Sequence, residues 1–245
     1  MAYTPIPDYV TNQQITAAHG NTYWKNNFAA LFPYAAIGDM AYASATDVLA
    51  RLGIGTEGQA LKVISGLPGW GNGGMTLIEQ KLATGAVANF DFTSIPSTYK
   101  HLKILFAGCG DTNADVITIA LRFNGDSGNY YDDVYFYIAS DGTEANGDGG
   151  TIGSSAMSLW RVPALTRIAG MVGTSEITIF KYASTVFFKN VHTMNLCQED
   201  TADNIIESMW KHGMWRKTAA INRITLFPGG GNFIAGSIAS LYGME

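Results

Sequence analysis

From Met75 onward the chain is a succession of short apolar runs separated at even spacing by turn residues, and that pattern restricts the fold more than any other feature. Candidate strands fall at 76–82, 89–92, 101–107, 116–123, 130–139, 155–160, 175–182, 187–195 and 208–211, and two more close the chain. Ser97-Thr98-Tyr99, Asn124-Gly125-Asp126 and Asp141-Gly142 supply turns between them. About eight to ten strands with no convincing helix predict two packed antiparallel sheets, an all-β sandwich over 75–245.

The closing stretch has the strand period in its clearest form. Ile221, Arg223, Thr225 and Phe227 fall on one face of an extended chain and Asn222, Ile224 and Leu226 on the other, until Pro228 and three glycines break the run. Apolar residues resume at Phe233, Ile234, Ile238, Leu241 and Tyr242 among small neighbours. So apolar a strand would invite aggregation at an open edge, so it is expected inside a sheet or under cover.

Composition narrows the function classes. Only 14% of residues are charged, against about a quarter in an ordinary domain, and 28 are glycine, which fits strands and turns. A net charge of −5 and a pI near 5.3, with the 15 basic residues gathered in no stripe, argue against a nucleic-acid surface. No apolar run approaches the ~20 residues that span a bilayer, so no membrane insertion is expected. The start, Met-Ala-Tyr-Thr-Pro-Ile-Pro-Asp, has neither a basic nor an apolar leader region, so no signal peptide and synthesis in a cytoplasm are expected. Cys109 and Cys197 form no framework pattern and are expected as buried free thiols.

Residues 1–37 differ from the rest. Pro5 and Pro7 keep the start extended, and Thr11 with Gln14 makes a capping-box arrangement before a helical pattern broken by Gly20 and Asn26-Asn27. This arm carries Tyr3, Tyr9, Tyr23, Trp24, Phe28, Phe32 and Tyr34, more aromatic surface than it can bury against itself. Either it folds back on its own β-domain or it docks on a partner. The second is the reading adopted, with Tyr9, Tyr23, Trp24, Phe28 and Phe32 as the anchor candidates.

Residues 38–74 read as short strands between glycine turns, too thin for a two-sided core. Gly53-Ile54-Gly55-Thr56-Glu57-Gly58 has G-x-G-x-x-G spacing, but no helix follows to receive a phosphate, so a turn is predicted. Asp39, Met40, Tyr42, Ala43, Leu49, Arg51, Leu52, Ile54, Gly55, Thr56, Gly58, Gln59, Leu61, Val63, Gly66, Leu67, Pro68 and Trp70 stand in a spaced pattern. In that pattern the segment resembles a linker module of bacteriophage tail-fibre and related virion proteins. The strand Ile221-Asn222-Arg223-Ile224, the Gly231-Asn232-Phe233 turn and the Ala235-Gly236-Ser237 to Gly243 ending look like the last strands of a jelly-roll-type phage module. The 95–102 and 121–126 segments look like the same module.

Chemistry is sparse. Adjacent Asp132 and Asp133 point to opposite faces of a strand and cannot serve one glycosidic bond. Asp111 with Asp115, the 126–133 carboxylates, and Asp141, Glu144, Asn146 and Asp148 are loose groupings without calcium-loop spacing and read as solvated turns. His19, His101, His192 and His212 stand apart in sequence, with no zinc spacing, and no serine sits in a nucleophile elbow. No catalytic residue, metal or cofactor is expected. In 130–137, Tyr131, Asp133, Tyr135 and Tyr137 share one strand face and Tyr130, Val134 and Phe136 the other. The first set is the candidate glycan or subunit contact, with packing in the core as its alternative. Trp210 and Trp215 carry the same ambiguity.

The resemblance implies a non-enzymatic phage structural protein with a virion-anchoring arm (1–37), a strand linker (38–74) and a jelly-roll-like sandwich (75–245). It implies a homotrimer that contacts other virion proteins of the tail or capsid, with a host-surface glycan as a candidate ligand. Capsid decoration without receptor binding and a virion-borne polysaccharide-active enzyme are the alternatives.

Overall fold

The computed structural model describes residues 14, 16–46, 48–140, 149–164, 170–198 and 206–245. The chain is nearly all β and divides into two compact units after Gly73.

In the first unit, Thr16 caps a helical segment. Its hydroxyl accepts from the His19 amide at 3.4 Å, and the His19 Nδ1 accepts from the Thr16 amide at 3.3 Å. The cap expected at Thr11 lies outside the described residues. The segment runs as α1 (Ala17–His19), a π-helical turn over Gly20–Lys25, and α2 (Asn26–Leu31). The widened turn sits between Gly20 and Asn26-Asn27, the weak helix formers in this stretch.

Two hairpins follow. Strand β1 (Met40–Ala45) pairs with β2 (Val48–Leu52), and β3 (Gln59–Ile64) with β4 (Leu67–Asn72). Ser65 and Gly66, at φ 51° and 86°, make the two-residue β3–β4 turn whose twist matches its strands. Strand β4 runs through Gly69-Trp70-Gly71, so part of the glycine-rich boundary read from sequence is paired strand. Asp39 ties the unit together: it accepts from Arg51 Nε at 2.6 Å, from the Ala35 and Ala36 amides at 2.7 Å, and from the Ile54 amide at 3.3 Å. The Arg51 guanidinium, with those amides, holds its carboxyl far below the usual range. Trp70 Nε1 donates to the Gly53 carbonyl at 2.6 Å, and its ring lies against Gly55. The G-x-G-x-x-G stretch is therefore a loop between β2 and β3, as its context predicts.

The second unit is a two-sheet sandwich. Its twelve strands among the described residues are β5 (Met75–Leu82), β6 (Phe90–Phe92), β7 (His101–Gly108), β8 (Val116–Phe123), β9 (Tyr131–Ala139), β10 (Gly149–Ser154), β11 (Met157–Pro163), β12 (Gly173–Phe180), β13 (Lys189–Gln198), β14 (Ile206–Trp215), β15 (Ile224–Pro228) and β16 (Ile238–Met244). The large sheet has the order β10-β9-β14-β13-β12-β7-β16-β5 and the small one β11-β8-β15-β6. These strands all pair antiparallel, and the isolated bridge from Gly110 to Ala164 is parallel. Strand β16 lies between β7 and β5, so the closing apolar strand is interior to its sheet, while β15 joins the opposite sheet. Strand β10 lies between the candidate strands at 130–139 and 155–160, where none is expected from the sequence.

The core forms where alternate residues of the two sheets meet. Leu102, Ile104 and Phe106 of β7 and Ile177 and Ile179 of β12 face Ile117, Ile119, Leu121 and Phe123 of β8. A bulge between Ser158 and Trp160 lets Leu159 and Val162 both face inward from β11. Phe233 stacks on Phe90 at 5.1 Å, and Trp215 packs on Phe123 at 5.5 Å. Under β9, β13 and β14 the interior turns polar: Asp133, Lys211, Glu207, Thr193, Asn195 and Ser175 are all buried there.

Candidate binding surfaces

Strand β9 decides where the expected contact residues go. Its residues alternate, and the register pairs Tyr131 with Trp215 and Tyr135 with Lys211, so Tyr131, Asp133, Tyr135 and Tyr137 turn toward the small sheet. The expected outward contact face is thus corrected: the alternative, packing in the core, holds for Tyr131 and Asp133.

Tyr131 is fully buried and stacks with Trp215 at 6.3 Å. Its hydroxyl accepts from the Phe123 amide at 3.0 Å and donates to the Asp126 carbonyl at 3.0 Å, and burial pushes the phenol up to about 12. Asp133 lies 2.9 Å from Lys211 Nζ, with side chains 1% and 5% exposed. Burial pulls the Lys211 ammonium down from its ordinary value while Asp133 opposes the shift. Tyr135 and Tyr137 are half-buried, and Gly149 leaves no room for a side chain over the Tyr135 ring.

The other carboxylates are committed individually to neighbours. Asp126 accepts from Trp215 Nε1 at 2.9 Å and from the Gly128 amide at 2.9 Å. Asp132 pairs with Arg216 at 2.8 Å and accepts from the Gly153 amide. Asp111 accepts twice from Asn232, and Asp91 holds Arg223 through two 2.8 Å bonds. Residues 141–148, and with them Asp141, Glu144, Asn146 and Asp148, lie outside the described residues. Among the described residues no three His, Cys, Asp or Glu side chains gather as a metal group. Cys109 and Cys197 are both buried, and burial raises the Cys109 value.

What the sequence reading missed is the opposite face of the same strand. Val134, Phe136 and Ile138 point to solvent, 54%, 45% and 44% exposed. Across β14 and β13 the outward positions are Trp210, Met194 and Leu196, also exposed, whereas Trp215 is interior. The ladder sets Phe136, Trp210 and Met194 side by side in one row, and Ile138, Ser208 and Leu196 in the next. The histidines, separate in sequence, meet here too: His192 lies opposite His212 with ring centroids 4.5 Å apart, and Phe180 lies edge-on to His192 at 4.7 Å. Strand pairing between distant segments made this pair, so no local spacing announced it. Val134, Ile152, His192, His212 and Met214 line a mostly apolar cleft of about 540 Å³ at this end of the sheet.

The arm's aromatics are open as well. Trp24, Phe28 and Phe32 are 46%, 63% and 61% exposed; Tyr23 is half-buried beside His19, and Tyr9 lies outside the described residues. Ile54 in the loop between β2 and β3, and Leu61 and Val63 in β3, are exposed. No described helix is long and apolar enough to cross a membrane.

No family model matches this sequence, and no curated protein matches it. Among solved structures, an exo-inulinase from Aspergillus awamori aligns at 12% identity with a TM-score of 0.38, over 76% of this chain and 34% of that one. The VP2 subviral particle of infectious bursal disease virus aligns at 13% identity with a TM-score of 0.09, over 83% and 49%. The chain thus spans about a third of the first and half of the second. Neither likeness is close enough to carry an argument about fold or activity.

Proposed function

We propose that this protein is a non-enzymatic structural subunit of a bacteriophage particle, held by its N-terminal arm and displaying a jelly-roll-like sandwich as a trimeric fibre or spike. The observation that carries the reading is the 39–70 segment. The residues that resemble the fibre linker are those that hold its hairpins: Asp39 with Arg51, Trp70 over Gly55 and against Gly53, and Gly66 in the turn. The apolar residues of the same pattern, Ile54, Leu61 and Val63, remain 64%, 53% and 79% exposed. A module built this way has consistent internal bonds and an unburied apolar surface, which is what three intertwined chains would cover.

The non-enzymatic part rests on the carboxylates. Each one described above is committed individually to a cation, an amide or an indole, and hydrolysis uses two held at a defined separation across the scissile bond. Contact with a host surface falls to loops at the ends of the sandwich, since Tyr131 and Asp133 are interior.

The test is location. Antibody-gold labelling of purified particles under the electron microscope is expected to place the protein at a tail or capsid appendage. Its absence from purified particles would end the reading, and release of reducing ends from host polysaccharide by the purified protein would end its non-enzymatic part.

A further inference from the structure

We propose that the outer face of the eight-stranded sheet is a packing surface for a second copy of this chain. The proposal stands apart from the virion reading and rests on an inverted residue pattern. An antiparallel sheet with one free face normally sends charged residues out and apolar ones in. Here β14 sends Glu207 and Lys211 inward and Ile206 and Trp210 outward, and β9 sends Asp133 inward and Val134, Phe136 and Ile138 outward. The small sheet of the same sandwich follows the ordinary rule, with Asp91, Thr118, Arg122 and Thr225 on its outer side. The inversion lies at the β9–β14 end of the large sheet, since β7 and β12 send Lys103 and Glu176 out and apolar residues in, and an apolar patch of this kind marks a surface that another molecule covers.

The ladder extends this face across the sheet, apolar at the β9, β14 and β13 end and mixed with polar residues beyond. One row runs Phe136, Trp210, Met194, Glu176, Leu105, Ser240 and Gln80 from β9 to β5. The rows on either side end at Leu82 and Leu77, 58% and 51% exposed. Seven strands at a spacing of about 4.8 Å, and three rows about 6.8 Å apart with their side-chain reach, give a flat area of roughly 600 Å². Side-chain relief makes the accessible area larger, close to the ~800 Å² that each partner contributes to a stable interface.

Charge selects the occupant. The chain carries −5 overall, so copies repel on average. On this face Lys103 and Glu176 neutralise each other at 2.6 Å, and Asp132 at one corner is held by Arg216. The patch is therefore neutral, and two copies can meet across it without like-charge cost. It lacks the basic excess that a lipid surface would require.

The full-length protein tests this through mass in solution and thiol protection. The chain is expected to associate at micromolar concentration, and Trp210→Glu, at a site already exposed in the single chain, is expected to weaken association at least about 30-fold, the effect of a central interface residue. Circular dichroism and melting should show the variant folded. Met194→Cys adds a thiol on the face while both native cysteines are buried. In the associated protein it should react with maleimide at least tenfold more slowly than Thr185→Cys on an exposed turn, and as fast once diluted to single chains. Equal reactivity of the two thiols in the associated protein would overturn the proposal. So would protection that persists on dilution, which would assign the cover to the chain's own arm. A full-length chain that is monomeric at tens of micromolar overturns it as well. Val63→Lys in β3 separates the two readings: if it alone disperses the oligomer, the linker holds the copies and the sheet face does not.

Discussion

Removing one partner of the Asp133–Lys211 pair tests whether Asp133 serves the architecture or a ligand. The two charges sit 2.9 Å apart with side chains 1% and 5% exposed. At that separation and an effective dielectric of about 20, their attraction is on the order of 6 kcal/mol. Desolvation of the two ions, several kcal/mol each, offsets most of it. The pair therefore adds little net stability, yet either charge alone is costly. Lys211→Met should leave Asp133 uncompensated beneath the sheet and destabilise the sandwich by about 3–5 kcal/mol. For a domain of this size that is a fall in melting temperature of about 6–20 °C. The double variant Lys211→Met with Asp133→Leu removes both charges and should return to within about 1–2 kcal/mol of the parent. Urea unfolding of the parent, both single variants and the double variant closes the cycle. A cost below about 1 kcal/mol for Lys211→Met would refute the reasoning, because it would mean water reaches the pair and this interior is not sealed.

Tyr131→Phe should cost about 1–3 kcal/mol in urea unfolding, since it orphans the Phe123 amide, and should leave binding to a glycan array unchanged; a lost glycan signal at unchanged stability would restore Tyr131 as a ligand contact. Gly55→Ala would put a methyl 2.6 Å from the Trp70 ring and break its bond to Gly53, costing the hairpin unit about 1–3 kcal/mol by hydrogen exchange in 48–72; unaltered exchange would refute the packing described. His192 is held below its ordinary value by burial and then by His212, with Lys103 and His101 on the same sheet face. The folded state thus prefers the neutral ring, so its contribution is complete above the unfolded value of about 6.5 and declines as pH falls through that value toward the lower folded one. His192→Gln should flatten the fall in melting temperature between pH 7 and pH 5; identical pH profiles would refute the shift.

The sandwich was legible because its evidence is local. Alternation in 101–107 and 116–123, turn glycines and asparagines, and the absence of helical period name most strands within a few residues, and aggregation risk alone places β16 inside a sheet. Strand β10 escaped because Gly149, Gly150 and Gly153 look like loop in isolation. They are strand by pairing with Tyr135 and Val134 of β9, and Tyr135 leaves space only for glycine at 149. The arm's helical interruption was likewise readable, since Gly20 and Asn26-Asn27 bracket the wide turn.

The face assignment of β9 was not legible, and the reason is physical. Alternation tells which residues share a side of a strand; it names the buried side only when the two sides differ in polarity. In β9 they scarcely differ, with Tyr131, Asp133, Tyr135 and Tyr137 on one side and Asp132, Val134, Phe136 and Ile138 on the other. The tyrosines with their carboxylate are the more polar set, so simple partition would turn them outward. Their orientation is fixed instead by strand β14, some seventy residues away, whose Lys211 neutralises Asp133 and whose Trp215 stacks on Tyr131. Once that strand commits its charges inward, β9 must follow, because the opposite register would bury Val134, Phe136 and Ile138 against Lys211 and Glu207 and would take Asp133 away from Lys211. The polar interior and the apolar exterior at this end of the sheet are thus one choice, made by pairing rather than by either strand's own pattern. It leaves the apolar row in water unless another surface closes over it.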